Sequence, residues 1–140
     1  MSSEVLILLI EDDLVDIMTI KRAFKEVKIT NPIAVCNNGL EGLQFLRNSK
    51  NKRPGIILLD INMPKMNGIE FLQVIKKDKD LKSIPIIVLT TSKAEQDKIE
   101  SFKLGVAGYM IKPVDYMQFV EIIKTIHVYW TLSELPNNSN

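Results

Sequence analysis

The sequence predicts an α/β fold in which helices cover both faces of a five-stranded parallel sheet. Short aliphatic runs alternate along the chain with longer segments whose apolar residues recur every three or four positions. The run Ile56–Leu59 shows no apolar–polar alternation, which is typical of a strand buried on both faces of a parallel sheet. Polar residues follow the aliphatic runs at their carboxyl ends, where open α/β sheets bind ligands.

Composition bounds the class of protein before any motif is considered. The chain has 140 residues, 46% of them hydrophobic and 25% charged, and a net charge of +1, which predicts one globular domain without an electrostatic preference for nucleic acid or membrane. No apolar run approaches the roughly 20 residues of a membrane span. The N-terminus lacks the basic region of a signal peptide, so we expect a cytoplasmic protein. Cys36, the single cysteine, is predicted to be a buried structural thiol.

The first half of the chain predicts two strand–helix units. Val5–Ile10 is the first strand, and apolar residues spaced by three and four between Ile17 and Val27 then predict an amphipathic helix. Asp12 or Asp13 is placed to cap that helix at its N-terminus. Ile33–Cys36 predicts a short second strand. The second helix follows, with Leu40, Leu43 and Leu46 on its apolar face.

The second half predicts three more units. After the central strand at Ile56–Leu59, the helical apolar face consists of Ile69, Leu72 and Ile75, and the fourth strand is Pro85–Leu89. The helix over 94–104 is unusually polar, which predicts low local stability and a moving part, and Gly105 is expected to end it. Gly108–Ile111 predicts the fifth strand, and a wide apolar helix follows over 116–129.

Five polar groups follow four of the five apolar runs, at the edge where parallel strands end together. They are Glu11 and Asp12 after the first strand, Asp60 after the third, Thr90 after the fourth and Lys112 after the fifth. Three gathered carboxylates require a counter-charge, and hard oxygen ligands suit Mg²⁺. A carboxylate nucleophile, a divalent metal, a lysine and a hydroxyl donor together fit phosphoryl transfer.

Four motifs in this order resemble the receiver domains of two-component response regulators. They are Leu8–Asp13, Leu58–Pro64, Leu89–Thr91 and Gly108–Pro113. The resemblance covers about residues 5–127. It implies a CheY-like sheet with strand order 2-1-3-4-5.

The resemblance also implies the roles of the residues at the site. Asp60 would accept a phosphoryl group from the phosphohistidine of a sensor histidine kinase. Glu11 and Asp12 would organise Mg²⁺, with Asp60 and the backbone carbonyl of Asn62 as further ligands. Asn62 and Thr91 would tune the lifetime of the phosphorylated state.

Four further residues have implied roles in binding and switching. Lys112 would bind the phosphoryl oxygens, and its peptide bond to Pro113 would be cis. Thr90 would move to hydrogen-bond the phosphoryl group, and Tyr109 would swing into the space that Thr90 leaves. An edge aromatic is the alternative for Tyr109. The single histidine, His127, is predicted to be structural.

The predicted organisation is a single receiver domain over 4–130 with a C-terminal tail over 131–140 and no output domain. The tail around 128–132 is similar to stand-alone regulators that partner bacterial phytochromes and related kinases. Those regulators often dimerise through the last helix, so a homodimer is expected. CheY-like monomers are the alternative.

Two competing functions fit the sequence less well. A phosphatase of the haloacid-dehalogenase type also uses an aspartate and Mg²⁺, but it needs a second aspartate two residues later, where this chain has Asn62. A flavodoxin-like mononucleotide binder needs a phosphate-cradling loop after the first strand, where this chain has acids. The predicted protein is therefore a phosphoacceptor switch that loses its own phosphoryl group to water, without turnover of an external substrate.

Overall fold

The computed structural model describes residues 5–112 and 115–124 of the chain. Five strands form: β1 Leu6–Ile10, β2 Ile33–Cys36, β3 Pro54–Asp60, β4 Ile86–Thr90 and β5 Gly108–Ile111. The helices between them are α1 Leu14–Glu26, α2 Gly39–Arg47, α3 Gly68–Lys76 and α4 Lys93–Ser101. Residues 116–124 are helical and form the described part of α5.

All five strands are parallel and lie in the order β2-β1-β3-β4-β5. This confirms the predicted doubly wound α/β fold and its strand order. The order reverses between β1 and β3, since the chain leaves β1 toward β2 and later returns to its other side. In such sheets the crevice at the carboxyl ends of these two strands is the usual ligand site.

Alternate residues of the strands supply two separate apolar layers. In β1, Leu8 and Ile10 point to one layer while Ile7 and Leu9 point to the other. The first layer holds the buried side chains of α2, α3 and α4, and the second holds those of α1 and α5. The central strands are buried on both faces because helices cover both sides, as their unbroken aliphatic runs predict.

Aromatic contacts join α1 to α5 on their shared face of the sheet. The Phe24 and Phe119 rings meet edge to face, with centroids 5.7 Å apart and an interplanar angle of 88°. The Arg22 guanidinium carbon lies 5.0 Å from the centroid of the Tyr116 ring. The start of α5 is therefore held against the C-terminal half of α1.

Side-chain caps fix where the helices begin. Of the two aspartates expected to cap α1, Asp13 does so, because its carboxylate accepts the backbone N–H of Asp16 at 3.0 Å. Asn67 and Glu70 form a reciprocal capping box at the start of α3. These caps set the position of the loops that surround the site.

Two boundaries differ from the sequence prediction by two or more residues. β3 begins at Pro54, which pairs with Leu6 before the register shifts; a proline is tolerated at the first residue of a strand. α4 ends at Ser101 instead of Leu104, and Lys103 takes the left-handed backbone conformation with φ of 54°. Gly105 also has a positive φ but lies beyond the helix end, so the prediction that it ends α4 is wrong.

None of the helices in the described ranges is both long and apolar enough to cross a membrane.

Candidate functional site

Four predicted site residues meet at the carboxyl edge of the sheet. Asp60 and Thr90 are the last residues of β3 and β4, while Glu11 and Lys112 directly follow β1 and β5. The exposed fraction is 0% for Glu11 and Thr90 and 1% for Asp60. Buried polar groups of this kind require partners or a ligand.

Lys112 is the cation that joins the buried carboxylates. Its ammonium nitrogen lies 2.8 Å from Oε1 of Glu11, 3.1 Å from Oδ2 of Asp16 and 3.3 Å from Oδ1 of Asp60. One positive charge therefore faces three carboxylates in a region nearly closed to solvent. This arrangement leaves the cluster short of positive charge.

The pKa values of two groups reflect this shortage of positive charge. Burial and the neighbouring Asp60 carboxyl raise the pKa of Glu11 to about 7. Burial lowers the pKa of Lys112, but the hydrogen bond to Glu11 and the charges of Asp60 and Glu11 outweigh it and hold that pKa above its ordinary value. Lys112 is therefore protonated. A further cation nearby would stabilise the ionised form of Glu11.

Asp16 is a member of this cluster that the sequence reading missed. It lies in the first turn of α1, is 6% exposed and contacts Lys112. Helical spacing could have predicted its burial, because Asp16 lies four residues before Ile20 and therefore on the same buried face of α1. A carboxylate on a buried helical face needs a partner, and Lys112 supplies it.

Three carboxylates could hold a divalent metal ion. One oxygen from each of Glu11, Asp12 and Asp60 lies within 4.8 Å of the others, and Asp12 is exposed to solvent. Oδ2 of Asp60 is buried and has no hydrogen-bond donor in the described part of the chain. A buried carboxylate oxygen without a donor, among hard oxygen ligands, fits a divalent cation of the Mg²⁺ or Mn²⁺ type.

Backbone amides orient Glu11 within this set. Its Oε2 accepts the N–H of Asp12 at 3.0 Å and the N–H of Asp13 at 3.3 Å. The carboxylate is therefore fixed by the chain segment that leads into α1, leaving its Oε1 for Lys112.

The loop between β3 and α3 is folded tightly against Asp60. The N–H of Gly68 donates to the carbonyl of Ile61 at 2.9 Å, and a Cβ on Gly68 would lie 2.5 Å from the carbonyl oxygen of Asp60. Only a glycine allows this close approach. The loop holds Asn62 beside the carboxylate, where its N–H lies 3.3 Å from Oδ1 of Asp60.

Thr90 and Tyr109 are the two residues that the resemblance predicts to move on phosphorylation. The Thr90 hydroxyl is buried and has no hydrogen-bond partner among the described residues, while the Thr90 carbonyl accepts the N–H of Lys112 at 2.6 Å. Tyr109 is half-buried and packs at the edge of the core. Burial and then the charge of Glu100 on α4 raise the pKa of Tyr109, against the effect of Lys93.

Several sequence predictions fall on residues outside the described ranges. These are the cis peptide bond at Pro113, the role of His127, and the apolar extension of α5 with the tail that follows it.

A model of the response regulator receiver domain matches residues 7–124. The chain belongs to this family, whose members accept a phosphoryl group on an aspartate in two-component signalling, bind a divalent metal ion and take a sensor histidine kinase as partner. The predicted family is confirmed, and the phosphatase alternative is not favoured.

One similar protein is known both by its sequence and by a crystal structure. Response regulator Rcp1 of Synechocystis sp. is 36% identical over 128 residues, which cover 89% of this chain and 87% of Rcp1. A crystal structure of the Mn²⁺-bound form of Rcp1 matches with a TM-score of 0.75 at 36% identity, over 89% of this chain and 93% of that one.

Two further solved structures are similar to this chain. The phosphorylated cyanobacterial phytochrome response regulator RcpA has a TM-score of 0.76 at 36% identity, over 91% of this chain and 94% of its own. The bacteriophytochrome response regulator RtBRR has a TM-score of 0.78 at 38% identity, over 86% of this chain and 76% of its own.

Proposed function

We propose that Asp60 is the phosphoacceptor and that a phosphohistidine of a sensor histidine kinase is the donor. This assignment rests on the different surroundings of the two carboxylate oxygens of Asp60. Oδ1 lies within 3.3 Å of the Lys112 ammonium and of the Asn62 N–H, while Oδ2 has no donor among the described residues. An Asp60 oxygen attacks phosphorus, the P–N bond to the kinase histidine breaks, and the imidazole leaves with the electron pair.

Lys112 and Thr90 stabilise the transferred group. Lys112 already lies 3.3 Å from Asp60, so its ammonium neutralises charge on the phosphoryl oxygens with a small movement. The buried Thr90 hydroxyl is free to donate to one of those oxygens. Tyr109, at the edge of the core beside α4, then takes the space that Thr90 leaves and carries the change to the surface.

The metal ion in this proposal is Mg²⁺. The residues that would hold it are Glu11, Asp12 and Asp60, with the backbone carbonyl of Asn62. When bound, it neutralises charge that develops on the phosphoryl oxygens. The carboxylate cluster itself is short of positive charge, which favours its occupation.

The output is a conformational change and a protein contact. Asp60 accepts one phosphoryl group and returns it to water, so the chain is a stoichiometric switch and not an enzyme of external turnover. The same proposal includes a single receiver domain over 4–130 with a tail over 131–140. It also includes a cytoplasmic location and a cis peptide bond between Lys112 and Pro113. The net charge of +1 supports a protein partner over nucleic acid or membrane.

The kinase contacts an apolar surface beside the site. Leu14, Val15 and Met18 on α1 are 73%, 71% and 69% exposed, and Met117 on α5 is 66% exposed. Leu14, Val15 and Met18 lie within two residues of Asp16, which pairs with Lys112, and exposed apolar groups in one region mark protein contacts. We expect Met18→Asp to slow phosphotransfer from autophosphorylated phytochrome-type kinases while leaving acetyl phosphate as good a donor as before. Leu40→Asp, on α2, is the matched control.

A phytochrome-type kinase and a homodimer through α5 are the finer parts of the proposal. Similarity to the phytochrome response regulators RcpA and RtBRR supports the kinase type. The wide apolar pattern of the last helix supports self-association that phosphorylation strengthens. Equal sedimentation coefficients with and without beryllofluoride, which mimics the phosphoryl group, would contradict the homodimer.

The central experiment measures phosphorylation of Asp60 by intact mass. The chain is incubated with Mg²⁺ and acetyl phosphate beside Asp60→Asn and Asp13→Asn. We expect a Mg²⁺-dependent gain of one phosphoryl group in the parent and in Asp13→Asn, because asparagine caps α1 equally well. Asp60→Asn should gain none. A phosphoryl group in Asp60→Asn, or none in the parent, would contradict the assignment.

A further inference from the structure

Three side chains form a hydrogen-bonded bridge between the segments that follow β3 and β4. The Asn62 amide nitrogen lies 3.5 Å from the Thr91 hydroxyl oxygen. That hydroxyl lies 3.0 Å from Oε1 of Glu95, which also accepts the backbone N–H of Thr91 at 2.7 Å. The bridge therefore runs from the β3–α3 loop to the first turn of α4.

The chemistry of Glu95 fixes the direction of this bridge. An ionised carboxylate is an acceptor alone, so the Thr91 hydroxyl must donate its hydrogen to Glu95. The Thr91 oxygen then turns a lone pair toward Asn62, whose amide nitrogen can donate to it. The backbone N–H and the hydroxyl of Thr91 thus both donate to the same carboxylate oxygen of Glu95.

The bridge lies at the mouth of the phosphoacceptor site. Asn62 is two residues from Asp60 and its N–H lies 3.3 Å from an Asp60 oxygen, while Thr91 directly follows the buried Thr90. Asp60 is 1% exposed, whereas Asn62 and Thr91 are exposed, so water that approaches the phosphorylated form from this side passes the bridge. A closed bridge restricts that approach and an open bridge permits it.

The Glu95 side chain has room to leave this position. A cavity of about 460 Å³ lies beside it, lined by residues of the β3–α3 loop, the start of α3 and Lys98 of α4. α4 itself buries one residue, Ile99, so few contacts oppose a shift of its first turn.

We propose that Glu95 is a positioning residue that holds Thr91 and Asn62 across the site and thereby lengthens the lifetime of the acyl phosphate. This inference rests on the proposed phosphorylation of Asp60. In the step concerned, water attacks phosphorus and the bond from phosphorus to the Asp60 oxygen breaks. The products are the Asp60 carboxylate, inorganic phosphate and a proton released to solvent.

The test is the rate of phosphoryl loss from chains first loaded with acetyl phosphate and Mg²⁺ and then freed of donor. Glu95→Ala removes the acceptor and is expected to shorten the lifetime about two- to tenfold, the range that loss of one hydrogen bond produces. Glu95→Gln keeps an acceptor oxygen without the charge and should retain most of the parent lifetime. Asp97→Ala, which breaks the exposed pair with Lys93 at 2.8 Å on the same helix, should leave the lifetime unchanged.

A second background shows whether Glu95 acts through Thr91. In Thr91→Ala the bridge is already absent, so adding Glu95→Ala should not change the lifetime further. Thermal unfolding of each variant checks that the fold is intact. A structural role in α4 alone would lower the unfolding temperature in both backgrounds without moving the lifetime.

The outcomes separate this inference from the proposed function. A parent that gains no phosphoryl group overturns both. A parent that is phosphorylated, with an equal lifetime in Glu95→Ala, overturns the positioning role alone. Equal acceleration in Glu95→Ala and Glu95→Gln also overturns it, because the charge of residue 95 would then be responsible instead of the bridge.

Discussion

Lys112 pairs with three carboxylates that are at most 8% exposed as side chains. Replacing it with methionine keeps most of the side-chain volume and removes the charge. We expect Lys112→Met to lower the free energy of unfolding by about 3 kcal/mol in metal-free buffer at neutral pH, because buried charges lose their partner. Urea unfolding in the presence of a chelator measures the change.

The control for this substitution is Lys21→Met on the exposed surface of α1. It should change the free energy of unfolding by less than about 0.5 kcal/mol. If Lys112→Met were equally mild, the ion pairs of the site would not contribute to the stability of the fold.

Cys36 is a buried free thiol in β2, as predicted. Burial, with a smaller effect of Glu41, raises the pKa of Cys36 to about 11. The folded state thus favours the neutral thiol; this contribution to stability is complete below pH 9 and is lost as the pH rises toward 11. We expect iodoacetamide at pH 8 to modify the native chain about 100-fold more slowly than the chain in guanidinium chloride, because the thiolate is the reactive form. Equal rates in a mass-spectrometric time course would contradict this.

Residue-scale prediction from sequence succeeded where a polar residue follows a strand. Glu11, Asp60 and Thr90 were found in this way, because parallel strands end at a common edge. Asp16 and Glu95 were missed because helices bring them to the site, and a helical position reveals its neighbours only when the helix has been placed against the sheet. The role of each predicted residue remains a proposal.

At the scale of elements, α3 and α4 can be compared directly because they have the same length. Both have nine residues, but α3 buries Phe71, Leu72 and Ile75 whereas α4 buries Ile99. The amides of α4 should therefore exchange with deuterium at least tenfold faster than those of α3, because local opening exposes less apolar surface. Exchange measured by NMR, residue by residue, checks this. Equal protection of the amides of the two helices from exchange would contradict the prediction that α4 is a moving part.

The existence of each described element was predictable from periodicity, but some ends were not. The early start of β3 depends on pairing between Pro54 and Leu6, which no local pattern contains. The early end of α4 depends on Lys103 adopting a left-handed conformation that sequence statistics assign to glycine. Boundaries of this kind are decided by the neighbours of an element instead of its own residues.

At the scale of the whole molecule, the strand order came from resemblance to a family. Alternation of strands and helices predicts a parallel sheet, but the reversal between β1 and β3 has no signal in local spacing. The structure confirms the order β2-β1-β3-β4-β5. The metal site likewise depends on this order, because it places β1 beside β3 and so brings Glu11 and Asp12 to Asp60.

Binding of a divalent metal should stabilise the whole domain. A ligand that binds the folded state alone raises its stability, by about 2.7 kcal/mol at one hundred times the dissociation constant. We expect the unfolding temperature to rise with Mg²⁺ concentration, and the rise to shrink in Asp12→Asn, since Asp12 is exposed and its change should leave the metal-free fold intact. Asp13→Asn, which keeps the cap of α1, should respond as the parent does. No rise in the parent would contradict a metal site.

The position of β1 in the interior of the sheet, between β2 and β3, has a consequence for synthesis. β1 pairs with β3 from Leu6 opposite Pro54 to Ile10 opposite Leu59, so its final neighbour leaves the ribosome long after β1 itself. Until then one edge of this wholly aliphatic strand has no partner on the nascent chain, where such segments associate with one another. A pause in translation before codon 54 should therefore increase aggregation, whereas a pause after codon 111 should not.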